Sequence, residues 1–409
     1  MCLGEDVWST LLFMQRVHCD LYGKKIKRLN SYTPQQSSKS IALREKNTIF
    51  ATVKNSYDRH CLASYEFRIV KSSFTMKIKK MIYLFLLSVI IFLAIGLLWL
   101  FRNPSYEKID KTFVQASDSA IKKEIPAFNL NFLVDKVAYS EPVYFPNGVE
   151  TADFTEHLEA INLEIPDWNR EGLYEVKAST KAGVLDPAFL VYKWDSDTSN
   201  TLIFHHGASE YPFYGIFSKI FKKAILNDLG INLIVVRTPF HKQKGALRQG
   251  TANLSTFMAT MATSVKLTEK LIHTLRQKGV QTIEIGGFSL GAVIANRHRV
   301  AYNSADFYAP IVGTVAHEKF FIFQKKNITE SEIERNKIIT HHLNFSAQWQ
   351  ENQSPNVFPV MARYDLFLPL HEHAPAYGNL EVEIWNTGHL PTALFYDAMR
   401  HVLLKRLKK

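Results

Sequence analysis

At 409 residues the chain exceeds one ordinary domain and, at roughly 150 residues per unit, accommodates two or three. Hydrophobic residues at 46% and charged residues at 21% exclude global disorder. Cysteines stand only at Cys2, Cys19 and Cys61, which excludes a disulfide framework and zinc-ribbon spacing.

The net charge of +11 is concentrated at one end: residues 1–80 hold 15 Lys/Arg against 6 Asp/Glu, and the remainder holds 34 against 32. That distribution argues against a nucleic-acid-binding domain. Residues 1–75 carry weak periodicity and are expected to be a cytosolic tail, either disordered or an upstream extension. Met76-Lys77-Ile78-Lys79-Lys80 reads as a basic flank of residues 76–80.

Residues 81–101 contain no charge and no proline, with Tyr83 and Trp99 near the ends. At about 1.5 Å per residue such a stretch covers roughly 30 Å, so the expectation is one transmembrane helix, an uncleaved signal anchor. Lysines dominate before it and mixed charges follow, which by the positive-inside rule puts the N-terminus in the cytoplasm and residues 102–409 outside. The lack of cysteine beyond residue 61 agrees with an extracytoplasmic location.

Residues 102–171 read as a stalk and accessory segment punctuated by Pro126, Pro142, Pro146 and Pro166, without a motif. From 172 the pattern becomes strands alternating with helices. Strands are predicted at 172–178, 189–194, 201–206, 231–237, 281–287, 305–312, 356–363 and 380–385. Helices are predicted at 213–228, 255–278, from 290 to about 302, and at 391–407. The fold class is therefore α/β, a mostly parallel sheet with helices on both faces. Residues 313–355 interrupt the rhythm as an insertion, with Thr329 and Glu332 at capping-box spacing; a helical cap over the sheet edge is one reading and a structural excursion the other.

Gly287-Phe288-Ser289-Leu290-Gly291 follows an apolar strand and opens a helix of small residues, the setting a nucleophile elbow requires. Gly287 and Gly291 flank the serine because side chains there would collide with the backbone of a sharp turn. A serine hydroxyl needs a base to take its proton and an acid to orient that base. His389 and Asp365 occur in the required order, each just beyond a predicted strand. As ordinary loop residues they would be unremarked, yet all three positions fit one triad. His206-Gly207-Ala208 ends the strand at 201–206, where the backbone N–H groups of Ala208 and Leu290 would serve as oxyanion donors; Gly207 is a second choice. His205 and His206 read as structural.

Ser289, Asp365, His389 and the His206-Gly207 turn together resemble the α/β-hydrolase superfamily over residues 172–409, with 313–355 in its cap position. The resemblance implies an eight-stranded, mostly parallel sheet, a Ser-His-Asp triad and hydrolysis of an ester, thioester or amide through an acyl-enzyme. The segment 102–171 has no counterpart in that pattern.

The expected protein is thus a membrane-anchored, extracytoplasmic serine hydrolase of the esterase or lipase kind. Its partners would be a small-molecule or lipid-like acyl substrate and the membrane itself through 81–101, with no nucleic acid. No cofactor and no metal are required. Two alternatives stand beside it: an acyltransferase on the same triad, and a non-catalytic anchored binding module. The loop Thr238–Lys244 with Arg248 could receive an acidic substrate group or simply be solvated. His371-Glu372-His373 lacks a third ligand at helical spacing and is not read as a metal site.

Overall fold

The computed structural model describes residues 81, 82, 84–89, 103–118, 121, 130–138, 144–208, 210–242, 247–322, 328–352 and 354–408. The chain divides into two units, Met1–Leu84 and Phe85–Lys409. The expected tail over 1–75 and basic flank over 76–80 lie outside the described residues.

The expected transmembrane helix over 81–101 needs correction. Among the described residues no helix is long and apolar enough to cross a membrane. The described part of this stretch is helical at 81, 82 and 84–89. At about 1.5 Å per residue those eight residues amount to roughly 12 Å, less than half of a bilayer core. The remainder of 81–101 lies outside the described residues. Apolar composition carried the expectation, whereas crossing requires helix length. The single-pass anchor falls with it, as do the membrane as partner, the cytoplasmic N-terminus and the extracytoplasmic catalytic domain.

Among the described residues twelve strands form two sheets: β1 (Lys111–Gln115), β2 (Asn162–Leu163), β3 (Gly172–Glu175), β4 (Ala178–Thr180), β5 (Gly183–Leu185), β6 (Ala188–Lys193), β7 (Thr201–His205), β8 (Asn232–Arg237), β9 (Ile283–Phe288), β10 (Phe307–Ile311), β11 (Val360–Ala362) and β12 (Glu381–Trp385). The large sheet has nine strands in the order β1-β12-β11-β10-β9-β7-β8-β6-β3, and β2, β4 and β5 make a small antiparallel one. From β8 to β12 every neighbouring pair is parallel, while β6 and β3 at one edge and β1 at the other run antiparallel. Eight strands were expected. The ninth is β1, which comes from the segment 102–171 and pairs with β12 from Lys111 opposite Trp385 to Gln115 opposite Glu381. Its burial is that of an edge strand, with no fully buried residue, which is why its sequence carries no strong strand signal.

The central strands are buried on both faces, so their sequences are continuous apolar runs sorted by side-chain alternation. Ile203, Ile234, Val236, Ile283 and Ile285 pack on one face with the helices Leu254–Lys278 and Leu290–Ala301. Leu202, Phe204, Leu233 and Val235 pack on the other with Phe217, Ile220, Met399 and Leu403. Helices on both faces were expected and are present.

The long helix Leu254–Lys278 is capped at its start by the Asn253 side chain, which accepts from Thr256 N–H at 2.7 Å, and stops at Gly279, whose φ of +102° a side chain would strain. The single helix expected over 213–228 is two short ones, Ile216–Ile220 and Lys223–Leu226, broken at Phe221. Phe217, Ile220 and Phe221, at i, i+3 and i+4, all enter the core.

Within 313–355 the helix Glu330–Leu343 begins at Thr329, where both reciprocal bonds of a capping box form: Glu332 N–H donates to Thr329 Oγ1 at 3.2 Å and Thr329 N–H to Glu332 Oε2 at 2.7 Å. Its C-terminal end docks on the helix Leu290–Ala301. Arg297 from that helix donates to the carbonyls of His342 at 2.9 Å and Leu343 at 3.2 Å, with its guanidinium 3.9 Å from the centroid of the Phe345 ring. Arg299 donates to the Asn352 carbonyl and lies over Trp349. Burial pushes the Arg297 pKa down to about 9, so the carbonyls and aromatic faces that receive it stand in for lost water.

Candidate active site

Ser289 lies between the last residue of β9 and the helix Leu290–Ala301, with φ 54° and ψ −115°. Positive φ at a non-glycine residue is strained, and here it turns the side chain out of a strand end. The turn is held by its own backbone: Ser289 N–H donates to the Ile311 carbonyl at 2.9 Å, and the Ser289 carbonyl accepts from Ala292 N–H at 3.0 Å. Both flanking glycines are sterically required. A Cβ on Gly287 would strike the Gly291 backbone, and one on Gly291 would strike the His205 carbonyl. Gly291→Ala is therefore expected to lower stability by about 1–3 kcal/mol, read by denaturant unfolding, since the obstacle is backbone that cannot rotate away.

A parallel sheet ordered β8-β7-β9-β10-β11-β12, helices on both faces, and a serine on a strained strand-to-helix turn after β9 are now in place. That is a mixed α/β fold with a large, mostly parallel sheet, consistent with the α/β-hydrolase pattern. In this fold the ends of successive parallel strands bring distant residues to one edge.

The three expected side chains meet at that edge. His389 Nε2 lies 2.9 Å from Ser289 Oγ, and His389 Nδ1 lies 2.7 Å from Asp365 Oδ2. Asp365 follows β11, and its other oxygen, Oδ1, accepts from Phe367 N–H at 2.8 Å and Leu368 N–H at 2.7 Å. His389 opens the short helix His389–Thr392 beyond β12. Both His389 and Asp365 are 5% exposed, so water screens their pairing little. Burial alone would pull the imidazole pKa down. The Asp365 charge and hydrogen bond, helped by a second carboxylate, Asp135, outweigh it and hold His389 above its ordinary value.

The turn expected to supply oxyanion donors lies against the elbow. A Cβ on Gly207 would touch the Phe288 ring, and one on Gly291 would meet the carbonyl of His206 at 2.8 Å. His206 fixes this turn. Thr238 N–H donates to His206 Nε2 at 3.1 Å, so Nδ1 carries the hydrogen and donates to the Gly207 carbonyl at 2.7 Å. Anchoring that carbonyl also sets the direction of the Ala208 N–H in the same planar peptide. Burial, reinforced by His241, keeps the His206 pKa well below its usual value. Gly207 N–H donates to Glu210 Oε1 at 3.0 Å, and burial pushes the Glu210 carboxyl up to about 8. His205 is buried and pairs with Thr268 Oγ1 at 2.9 Å, so both histidines of the turn hold structure.

Aromatic rings flank the imidazole: Phe367 at 5.0 Å and Phe288 at 5.7 Å between centroids, with Phe320 from the start of the insertion stacked at 6.4 Å on Phe367.

The loop after β8 offers less free charge than its sequence suggests. Lys242 lies 3.4 Å from Asp186 and 3.6 Å from Glu175, and Arg237 pairs with Glu175 as well. Gln243 and Lys244 lie outside the described residues, and Arg248 is exposed. In His371-Glu372-His373, His371 pairs with Glu372 at 3.5 Å while His373 is buried against Thr314 Oγ1 at 2.9 Å. The ligand-type atoms that do gather among the described residues are those of Asp153, His341 and His342, within 4.8 Å of one another. They sit where the helices Phe154–Glu159 and Glu330–Leu343 meet, and two of the three are exposed.

One residue of the site had not been singled out. Asp135, from the helix Leu130–Ala138, is fully buried and accepts the backbone N–H of His389 at 2.7 Å and of Leu390 at 2.9 Å. The available signal was one acidic residue inside a largely apolar helical stretch, LNFLVDKVA.

No family model and no curated protein matches the chain. Solved structures similar to it include an acetyl xylan esterase from Thermoanaerobacterium sp., 14% identical with TM-score 0.45 over 66% of this chain and 100% of that one. A cold-adapted esterase from an Arctic intertidal metagenomic library is 11% identical, with TM-score 0.41 over 61% and 99%. An esterase of Pyrococcus furiosus is 14% identical, with TM-score 0.38 over 59% and 97%. At these identities and TM-scores the likeness carries no argument about the chemistry of this chain.

Proposed function

We propose that this chain is a serine hydrolase that cleaves carboxylic esters through an acyl-enzyme on Ser289. The observation that carries this reading is the unbroken hydrogen-bonded line from Ser289 Oγ through the His389 ring to Asp365, at 2.9 and 2.7 Å. His389 Nε2 takes the serine proton as Oγ attacks the carbonyl, then gives it to the leaving alcohol. In the second half it takes a proton from the water that attacks the acyl-enzyme and returns it to Ser289 Oγ as the acyl–Oγ bond breaks and the carboxylic acid leaves. Asp365 keeps the hydrogen on Nδ1 and stabilises the imidazolium. The N–H groups of Ala208 and Leu290 receive the developing oxyanion, a task that pre-set backbone donors perform without reorganisation. Phe288 and Phe367 beside the imidazole support an apolar group on the acyl or alcohol side of the ester.

A fluorophosphonate probe tests the reading directly: the wild-type chain should be labelled at Ser289 and should hydrolyse a short p-nitrophenyl ester. Absence of both would reject it. Because only the neutral imidazole accepts a proton, kcat/KM should rise with pH through a pKa above the ordinary histidine value near 6.5. An acid limb centred below that value would contradict the assigned role of His389. An acyltransferase would use the same residues, and adding an alcohol acceptor to the assay separates the two by product.

A further inference from the structure

Both loops that carry the histidine and the carboxylate converge on one buried side chain. Asp135 Oδ2 accepts His389 N–H at 2.7 Å and Leu366 N–H at 3.3 Å, and Oδ1 accepts Leu390 N–H at 2.9 Å. Leu366 is the neighbour of Asp365. The short helix His389–Thr392 begins at Gly388, which has no side chain to cap it, so Asp135 takes the N–H groups of its first turn from a distance of 254 residues in sequence. The approach is close enough that a Cβ on Gly388 would stand 2.9 Å from both the Asn131 carbonyl and Asp135 Oδ2. Asp135 is itself fully buried.

We propose that Asp135 is a positioning residue: it locks the Asp365 and His389 loops in register, and in its ionised form it supports the imidazolium that forms during turnover. The proposal rests on the serine-hydrolase reading for its kinetic consequence but not for its structural one. The titratable groups facing the imidazole are Asp365, from the loop after β11, and Asp135, from the helix Leu130–Ala138. They act in the same direction on His389 and against each other. Burial and the nearby Asp365 push the Asp135 carboxyl up to about 7, while the donated N–H groups and His389 favour its charged form. The helix belongs to the segment 102–171, which has no counterpart in the family pattern, so that segment would take part in the chemistry of the sheet edge.

The test uses the full chain with Asp135→Asn. Asparagine keeps the shape but loses the charge and offers one acceptor oxygen where two were used. The expected result has three parts: kcat falls by about ten- to a hundredfold, KM changes little, and the His389 ring titration, followed by NMR, moves down by roughly half a unit or more. A residue that only filled space would leave that titration in place. A kcat within twofold of wild type together with an unmoved titration would overturn the proposal. If the wild-type chain neither hydrolyses ester nor takes the probe, the functional reading fails, yet the NMR titration still judges Asp135. Should the variant not fold, amide exchange of the wild type decides: His389 and Leu390 N–H should be strongly protected, and exchange at the rate of open loop amides would reject the bonds to Asp135.

Discussion

Ser289→Ala is expected to remove ester turnover almost completely, by a factor on the order of 10⁶ in kcat, and to abolish fluorophosphonate labelling. The oxygen removed is the attacking atom, and nothing else in the line Ser289–His389–Asp365 can form an acyl bond to the substrate in its place. What remains is the catalysis supplied by oxyanion donors and binding alone. Folding should persist. The hydroxyl loses one hydrogen bond, to His389, worth about 1 kcal/mol, and the positive φ at this position is as strained for alanine as for serine. His389→Ala should cost a comparable factor, and the double variant should be little worse than either, because members of one proton-transfer unit are not additive. A Ser289→Ala chain that retains more than a small fraction of wild-type hydrolysis would reject the nucleophile.

Asp365→Asn should lower kcat by about 10⁴-fold while leaving the melting temperature nearly unchanged. The two carboxylate oxygens have separate tasks here. Oδ1 holds its own loop through Phe367 N–H and Leu368 N–H, and Oδ2 receives the His389 Nδ1–H. An asparagine can keep its oxygen on the loop, so the turn survives. Its amide then points a donor at Nδ1, which becomes the acceptor, and the ring hydrogen moves to Nε2. Nε2–H facing Ser289 Oγ cannot take the serine proton. The measurement is a stopped assay at saturating ester beside a thermal melt. Near-full activity would mean that a different carboxylate orients the imidazole, and Asp135, already bonded to the His389 backbone, would be the first to examine.

Parts of this protein were legible in one dimension because the physics behind them is local. The elbow can be read from Gly287 and Gly291 around Ser289 since the clash that forbids a Cβ on Gly287 arises within the turn itself, although the one on Gly291 is with the His205 carbonyl of β7. The central strands can be read from unbroken apolar runs because both faces of β7, β8 and β9 are covered. Asp365 and His389 could be singled out because each follows the end of a parallel strand, and the fold brings both side chains to Ser289.

What only the tertiary structure decided is of a different kind. Strand β1 joins the edge of the sheet with one face of its backbone paired, a condition its half-exposed side chains do not announce. The apolar run at 81–101 suggested a membrane span because hydropathy sums composition, whereas crossing depends on the length of continuous helix, and none among the described residues reaches it. Asp135 bonds to backbone N–H groups, which every residue except proline possesses, so its partners leave no trace in the identity of the residues it holds. A chain can therefore announce a candidate nucleophile from its turn motif, while a buried carboxylate such as Asp135 is assigned its partners only by which distant backbone is brought within reach.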